Sequence, residues 1–292
     1  VKILNWLGIL FTVLWSSAAI ATKIGLRSAA PLTLATIRFY LAGILLFLYV
    51  YAFRKNYVWP KRIQWLHLVV LGFLNTTLYL GASFWALNTV SAGLFNLFVT
   101  VNPFVVALLS SIWLKQRVTP REWIGMLISA VGLFVATYPS MKHSYATMSG
   151  LILLGIGMCS MAIGSIYFKK VQLDLPGTVI NTWQVMFGAL LLTPIVLIVE
   201  RGTTVKVDAN LIGSLVWLVV AVSISAMLLW FYLLKLDAVK ANNLLFLTPI
   251  FGYGLSAIVL NEAITIYSVI GTVIVLSGFL LAGNINLPDE KR

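Results

Sequence analysis

NPFVVALLSSIWLKQRVT (Asn102–Thr119) and TPIFGYGLSAIVLNEAIT (Thr248–Thr265) are one phrase written twice. Six of the eighteen positions are identical: Pro103/Pro249, Leu109/Leu255, Ser110/Ser256, Ile112/Ile258, Leu114/Leu260 and Thr119/Thr265. The offset is 146 residues, half of the 292-residue chain. Gly125/Gly271, Gly132/Gly278, Lys23/Lys169, Leu45/Leu191 and Leu46/Leu192 keep the same register. The two copies end differently, in Lys115-Gln116-Arg117 and in Asn261-Glu262-Ala263.

Composition says where both copies live. The chain is 61% hydrophobic and 10% charged, against about a quarter charged in an ordinary globular domain. Charge-free runs such as Ile3 to Thr22, Ser144 to Phe168, Leu175 to Val199 and Ala263 to Pro288 are long enough for a bilayer core of ~30 Å. From Ile63 to Leu114 only His67 interrupts 52 uncharged residues, which read as two spans with a turn near Asn88-Thr89. The expected fold is an all-α integral membrane protein in a lipid bilayer. Lys2, an apolar stretch and Ala19-Ile20-Ala21 imitate a signal peptide. The stretch is of full span length, holds Trp15-Ser16-Ser17 and has a counterpart in the second half, so it is expected to be a retained first helix.

Apolar windows and punctuation predict ten transmembrane helices, near 3–24, 31–53, 63–87, 90–114, 121–138, 147–168, 177–199, 210–234, 239–260 and 264–284. The net charge of +12 lies in the loops between them, which argues against a nucleic-acid partner. With the N-terminus inside, fourteen Lys and Arg face the cytoplasm and five face outward, and Arg38 lies within a helix. This bias predicts that both termini are cytoplasmic in a cell inner membrane. Five helices per half is an odd number, so residues 141–292 enter the membrane upside down relative to residues 1–140. Orientation explains the unlike endings: the turn after Leu114 faces inward and carries Lys115 and Arg117, and its twin faces outward. Two inverted repeats can rock between two access states, with a substrate site near the midplane where the halves meet.

LWSSAAIATKIGL (Leu14–Leu26), PLTLATIRF (Pro31–Phe39) and the stretch from Ser91 to Val135 resemble the EamA-type transporters of the drug/metabolite transporter superfamily. The echo AVKANNLLFLTPIFGYGLSAIVLNEAITIYSVIGTVIVLSG completes a likeness that covers nearly the whole chain. The resemblance implies a cavity among the first four helices of each half, with the fifth and tenth outside. It also implies an acidic residue in both inter-helix turns; here Glu262 has Gln116 as its mate, which leaves a symmetric carboxylate pair incomplete. The small residues Gly125, Ala130, Gly132, Gly271, Ser277 and Gly278 suit close packing of the two outer helices.

Arg38 stands about 10 Å into its helix, counted at 1.5 Å per residue from Pro31, where an arginine is expensive. It reads as a fixed charge for a carboxylate or phosphate, or as a snorkelling side chain that ties down carbonyls. Its repeat mate is the neutral Gln184. Pro103 and Pro249 are expected to open their helices, with Asn96, Thr100 and Asn102 before one and Asn242, Asn243 and Thr248 before the other. Freed carbonyls at membrane depth need protein or a wet cavity, so these polar residues, with Ser16, Asn75 and Ser160, are candidates for cavity lining. Interhelical bracing is the alternative. Trp15, Tyr79, Trp85, Trp230 and Phe246 are candidates to stack on a flat substrate moiety, or simply core and lipid-facing rings. Lys23 and Lys169 end matched helices, where they complement the dipole or act as gates.

All eight acidic residues fall in loops or at helix ends, which leaves no carboxylate for a proton relay within the spans and disfavours multivalent cationic drugs. The single Cys159 excludes a disulfide framework, and neither a metal site nor a cofactor is called for. The expected function is a secondary transporter that exports small metabolites such as amino acids or related zwitterions and anions. A polyspecific exporter of toxic compounds is the alternative within transport. An intramembrane enzyme lacks convincing partners for His67 and His143. Oligomeric state is left open.

Overall fold

The computed structural model describes residues 2–53, 58–113, 119–142, 146–236 and 244–282. These form ten helical runs: α1 (Lys2–Gly25), α2 (Pro31–Phe53), α3 (Arg62–Leu87), α4 (Ala92–Trp113), α5 (Pro120–Lys142), α6 (Met148–Val171), α7 (Gly177–Val199), α8 (209–236), α9 (Leu244–Leu260) and α10 (Ile266–Ala282). Among the described residues, α1 to α4 and α6 to α8 contain seven segments long and apolar enough to cross a membrane, and α9 and α10 are shorter apolar helices. Ile258, Ile198, Leu280 and Phe134 are mostly exposed, as side chains that face lipid should be. The chain is a multi-pass membrane protein.

Local chemistry sets the helix starts. Thr119 and Glu122 form a reciprocal capping box on α5, with Thr119 N–H on the Glu122 carboxylate at 2.6 Å and Glu122 N–H on the Thr119 hydroxyl at 3.3 Å. Ser91 caps α4 by accepting from Leu94 N–H at 3.3 Å, and Asp208 caps α8 by accepting from Leu211 N–H at 2.9 Å. Pro31 opens α2, where its missing N–H is harmless.

Two runs carry long π-helical stretches in their middles, Gly72–Leu80 in α3 and Trp217–Ala226 in α8. Shifted by 146 residues the first becomes 218–226, so the two helices share a backbone irregularity. The π geometry displaces carbonyls from their usual acceptor role, and neighbours fill in: Ser160 donates to the Leu74 carbonyl at 2.7 Å and Asn181 to the Ser223 carbonyl at 3.4 Å.

The chain folds into two compact units interleaved along the sequence. One comprises residues 1–20, 89–151 and 229–292, the other 21–88 and 152–228. We call them the proline unit and the arginine unit. Each takes helices from both halves of the chain, and related helices meet inside one unit. In the proline unit, Gly132 of α5 opposes Gly271 of α10 and Gly125 opposes Gly278. The number rises along one helix as it falls along the other, so α5 and α10 run antiparallel although they are repeat mates. An added Cβ on Gly132 would lie 2.7 Å from the Gly271 carbonyl oxygen. Ser129 and Ala136 join this close face, whereas Ala130 and Ser277 are exposed. In the arginine unit, Tyr40 meets Thr193 at 2.9 Å and Gly43 faces Met186, so α2 and α7 are antiparallel as well.

Candidate functional site

Arg38 occupies the third turn of α2 and is 5% exposed. Its Nε and Nη2 donate to the Ser223 hydroxyl of α8 at 3.2 and 3.1 Å. The guanidinium carbon lies 5.5 Å from the Phe39 ring centroid and 5.6 Å from that of Phe84, within the range of cation–π attraction. The buried Tyr79 phenol is within electrostatic reach. No carboxylate among the described residues pairs with this cation. One hydroxyl is thin compensation for a buried charge.

A chain of neutral amides continues from the arginine. Asn181 Nδ2 donates to the Ser223 carbonyl, Gln184 Nε2 donates to Asn181 Oδ1 at 3.1 Å, and Asn75 Nδ2 donates to Gln184 Oε1 at 3.4 Å. Asn75 lies against Gly164 of α6, where a Cβ would collide with its amide. Gln184 stands 146 residues after Arg38, and Ser223 stands 146 after Thr77, whose hydroxyl donates to the Gly188 carbonyl at 3.1 Å. Both halves thus put polar groups at equivalent places, and only one puts a charge there. Arg38, Asn75, Tyr79, Ser160 and Gln184 are all in this unit. Ser223 and Asn181 were not singled out from sequence. Their signals were a serine inside an apolar span and an amide one turn before Gln184.

The proline unit uses its polar residues differently. Asn96 Nδ2 donates to the Ser16 carbonyl, the Ser16 hydroxyl to the Thr248 carbonyl, and the Thr248 hydroxyl to the Asn96 carbonyl, each at 3.2 Å. This closed ring laces α1, α4 and α9 together, and all three residues are buried. Pro249 has no N–H for the Leu245 carbonyl, and the Thr248 hydroxyl reaches that oxygen at 2.6 Å instead. The helices break where the prolines predict: α4 is interrupted between Ala92–Val99 and Asn102–Trp113, and α9 passes from a 3₁₀ turn at Leu244–Leu247 into α-helix at Thr248. Thr100 bonds its own helix at the Leu97 carbonyl. Asn102 is buried, and its Oδ1 has no hydrogen-bond partner among the described residues.

The rings also divide. Phe246 is buried and stacks on Phe279 with centroids 3.5 Å apart, so it belongs to the core of the proline unit. Trp15 and Trp230 are half-buried and flank Phe11, at 5.7 and 5.1 Å. Trp85 is half-buried in the arginine unit, and Lys23 is half-buried in the last turn of α1. Asn242 and Asn243, and the side chains of Pro103 and Lys169, lie outside the described residues.

Two more acidic residues cap helices, here from distant parts of the chain. Glu200 is buried and accepts from Leu32 N–H at 2.8 Å and Thr33 N–H at 2.7 Å, the first free donors of α2 after Pro31. Glu262 accepts from Ala92 and Gly93 N–H of α4 at 2.9 and 3.2 Å. Carboxylates at helix N-termini match the dipole. Among the described residues no cluster of His, Cys, Asp and Glu could hold a metal ion.

The chain is similar over most of its length to several known proteins. An uncharacterized transporter of Archaeoglobus fulgidus is 27% identical over 287 residues, covering 95% of this chain and 98% of the relative. Protein PecM of Dickeya dadantii is 26% identical over 282 residues, covering 95% and 91%. A probable amino-acid metabolite efflux pump of Salmonella typhimurium is 23% identical over 290 residues, covering 95% and 93%. A solved crystal structure shares the fold, with a TM-score of 0.68 at 16% identity over 97% of this chain and 96% of that one. The model of the EamA-like transporter family matches twice, at residues 2–138 and 148–283. The chain therefore belongs to the EamA-like transporters of the drug/metabolite superfamily, and is a transporter rather than an enzyme.

Proposed function

We propose that this protein exports small metabolites, amino acids or related zwitterions and anions, by alternating access, and that Arg38 contacts the substrate. The observation that carries the proposal is the burial of that guanidinium with a serine hydroxyl and two phenyl faces but no carboxylate partner among the described residues. A cation held this way gains most when an anion arrives. The amide chain through Asn181, Gln184 and Asn75 supplies neutral hydrogen-bonding groups beside it.

The same proposal takes residues 1–140 and 141–292 as inverted five-helix repeats, with both termini cytoplasmic in an inner membrane. Antiparallel packing of the repeat mates α5 and α10, and of α2 and α7, supports the inversion. The excess of Lys and Arg in alternate loops supports the orientation. Helix breaks at matched positions before Pro103 and Pro249 are the points at which α4 and α9 bend during transport. The name of the Salmonella relative agrees with the substrate class. The Phe11, Trp15 and Trp230 rings favour one second reading, a polyspecific exporter that stacks flat compounds in the proline unit.

A thermal-shift panel on detergent-purified protein separates the two. It compares amino acids, organic anions, nucleobases and organic cations on the wild type and on Arg38→Gln. A ligand at one hundred times its Kd stabilises by about 2.7 kcal/mol. Carboxylate ligands are expected to shift the wild type and not the variant. Equal shifts in both proteins from unrelated aromatic or cationic compounds would instead make Arg38 structural and the polyspecific reading correct.

A further inference from the structure

We infer that the Arg38 site selects monoanionic carboxylates over the matching zwitterions, and that such a substrate crosses outward down the membrane potential without a coupling ion. This rests on the proposed contact between Arg38 and the substrate. The site offers one cation. Ser223 occupies Nε and Nη2, and Nη1 makes no hydrogen bond to the described residues. A guanidinium carries five N–H donors, so this edge remains for a carboxylate.

An ammonium group on the same ligand has no comparable welcome. The carboxylates of Glu200 and Glu262 are held on the N-terminal N–H groups of α2 and α4. Beside Arg38 the polar groups are neutral, and the amide oxygens of Asn181 and Gln184 already accept from Gln184 and Asn75. A monoanion neutralises the buried arginine. A zwitterion leaves the net charge at plus one and brings a second cation near the first, with no carboxylate among the described residues to pair with it.

The energetic consequence concerns coupling. Arg38 stays with the protein, so the charge that travels with a monoanion is its own. One elementary charge across ~100 mV corresponds to a roughly 50-fold concentration ratio. An inside-negative potential therefore drives a monoanion outward with no proton relay, which fits spans that carry no Asp or Glu away from their ends.

The test uses the full chain in proteoliposomes with the potential clamped by potassium and valinomycin. The probes are leucine and phenylalanine, their α-keto acids and their amides, so that shape is shared and charge differs. We expect both keto acids to move at least tenfold faster than the amino acids. They should accumulate about 50-fold on the positive side at ~100 mV, and a pH gradient should not alter this. Amino acids that move as fast as their keto acids, or keto-acid flux indifferent to voltage, overturn this inference and leave the transporter reading standing. No movement of any probe beyond protein-free vesicles, and no thermal shift, overturns both. Gln184→Glu adds a second check by placing a carboxylate in the amide chain. It should raise the ratio of amino-acid to keto-acid flux at least tenfold, and an unchanged ratio in a folded variant counts against the charge argument.

Discussion

The hydroxyl of Ser129 donates to the backbone carbonyl of Val275 at 3.2 Å, and Val275 is the residue at its own position in the other half of the chain. Residues at the same position of the two copies thus touch each other. Around this contact, Gly132 opposes Gly271 and Gly125 opposes Gly278, so each pair is the image of the other. Such an interface is self-complementary in the manner of a two-fold dimer, inside a single chain.

The glycines make this face intolerant of side chains. A Cβ on Gly132 meets backbone, the Gly271 carbonyl oxygen and the Val275 nitrogen, neither of which can rotate away. Gly132→Ala is expected to destabilise the protein by about 1–3 kcal/mol. Gly155→Ala, with nothing within 4 Å of the added atom, should be neutral or slightly stabilising through helix propensity. Thermal unfolding in detergent compares the two directly.

The ring through Ser16, Asn96 and Thr248 predicts a graded effect. Thr248→Val keeps the shape but leaves the Leu245 carbonyl, which Pro249 cannot serve, without its donor at 2.6 Å. A loss of about 1–2 kcal/mol is expected, and Thr248→Ser should recover most of it. If valine and serine unfold at the same temperature, the hydroxyl does not brace the helix break.

Glu262 caps α4 with both oxygens. Glu262→Gln retains one acceptor oxygen and loses the charge that faces the helix dipole, so a cost of about 0.5–2 kcal/mol is expected. Hydrogen exchange at Ala92 and Gly93 should speed up in the variant, while exchange at Leu32 and Thr33, capped by Glu200, should not change.

Asp208 gives a pH dependence outside the spans. The Leu211 N–H and then the Ser28 hydroxyl hold its carboxylate below the ordinary value of 3.8. A depressed folded-state pKa means that the stability it contributes is present above pH ~4 and is lost as pH falls through the lowered value. Asp208→Asn should therefore flatten part of the acid limb of a Tm-against-pH profile and leave the slope near neutral pH unaltered. The Ser28→Ala variant should show a smaller change of the same sign.

The all-helical membrane character, the rough limits of the helices, the doubled phrase and the arginine inside α2 follow from residues alone. Hydrocarbon forces the backbone to satisfy itself within each apolar segment, so a one-dimensional pattern of apolarity and punctuation decides these features. Pro103 and Pro249 show the same economy, since a missing N–H interrupts a helix whatever surrounds it. What only tertiary structure decided is who meets whom. The sequence halves suggest two blocks, whereas the compact units interleave, because α2 packs on α7, α4 on α9 and α5 on α10. Ser16, Asn96 and Thr248 look like lining residues when read singly. Packing turns their donors onto backbone carbonyls of neighbouring helices. Glu200 carries no local signal of its role, and a serine inside an apolar span does not name its partner, since a helix N-terminus 168 residues away and a guanidinium 185 residues away exist for them only after folding. Apolarity is a property of a segment and is legible in order along the chain; hydrogen bonding is a property of pairs, and the pairs are made in space.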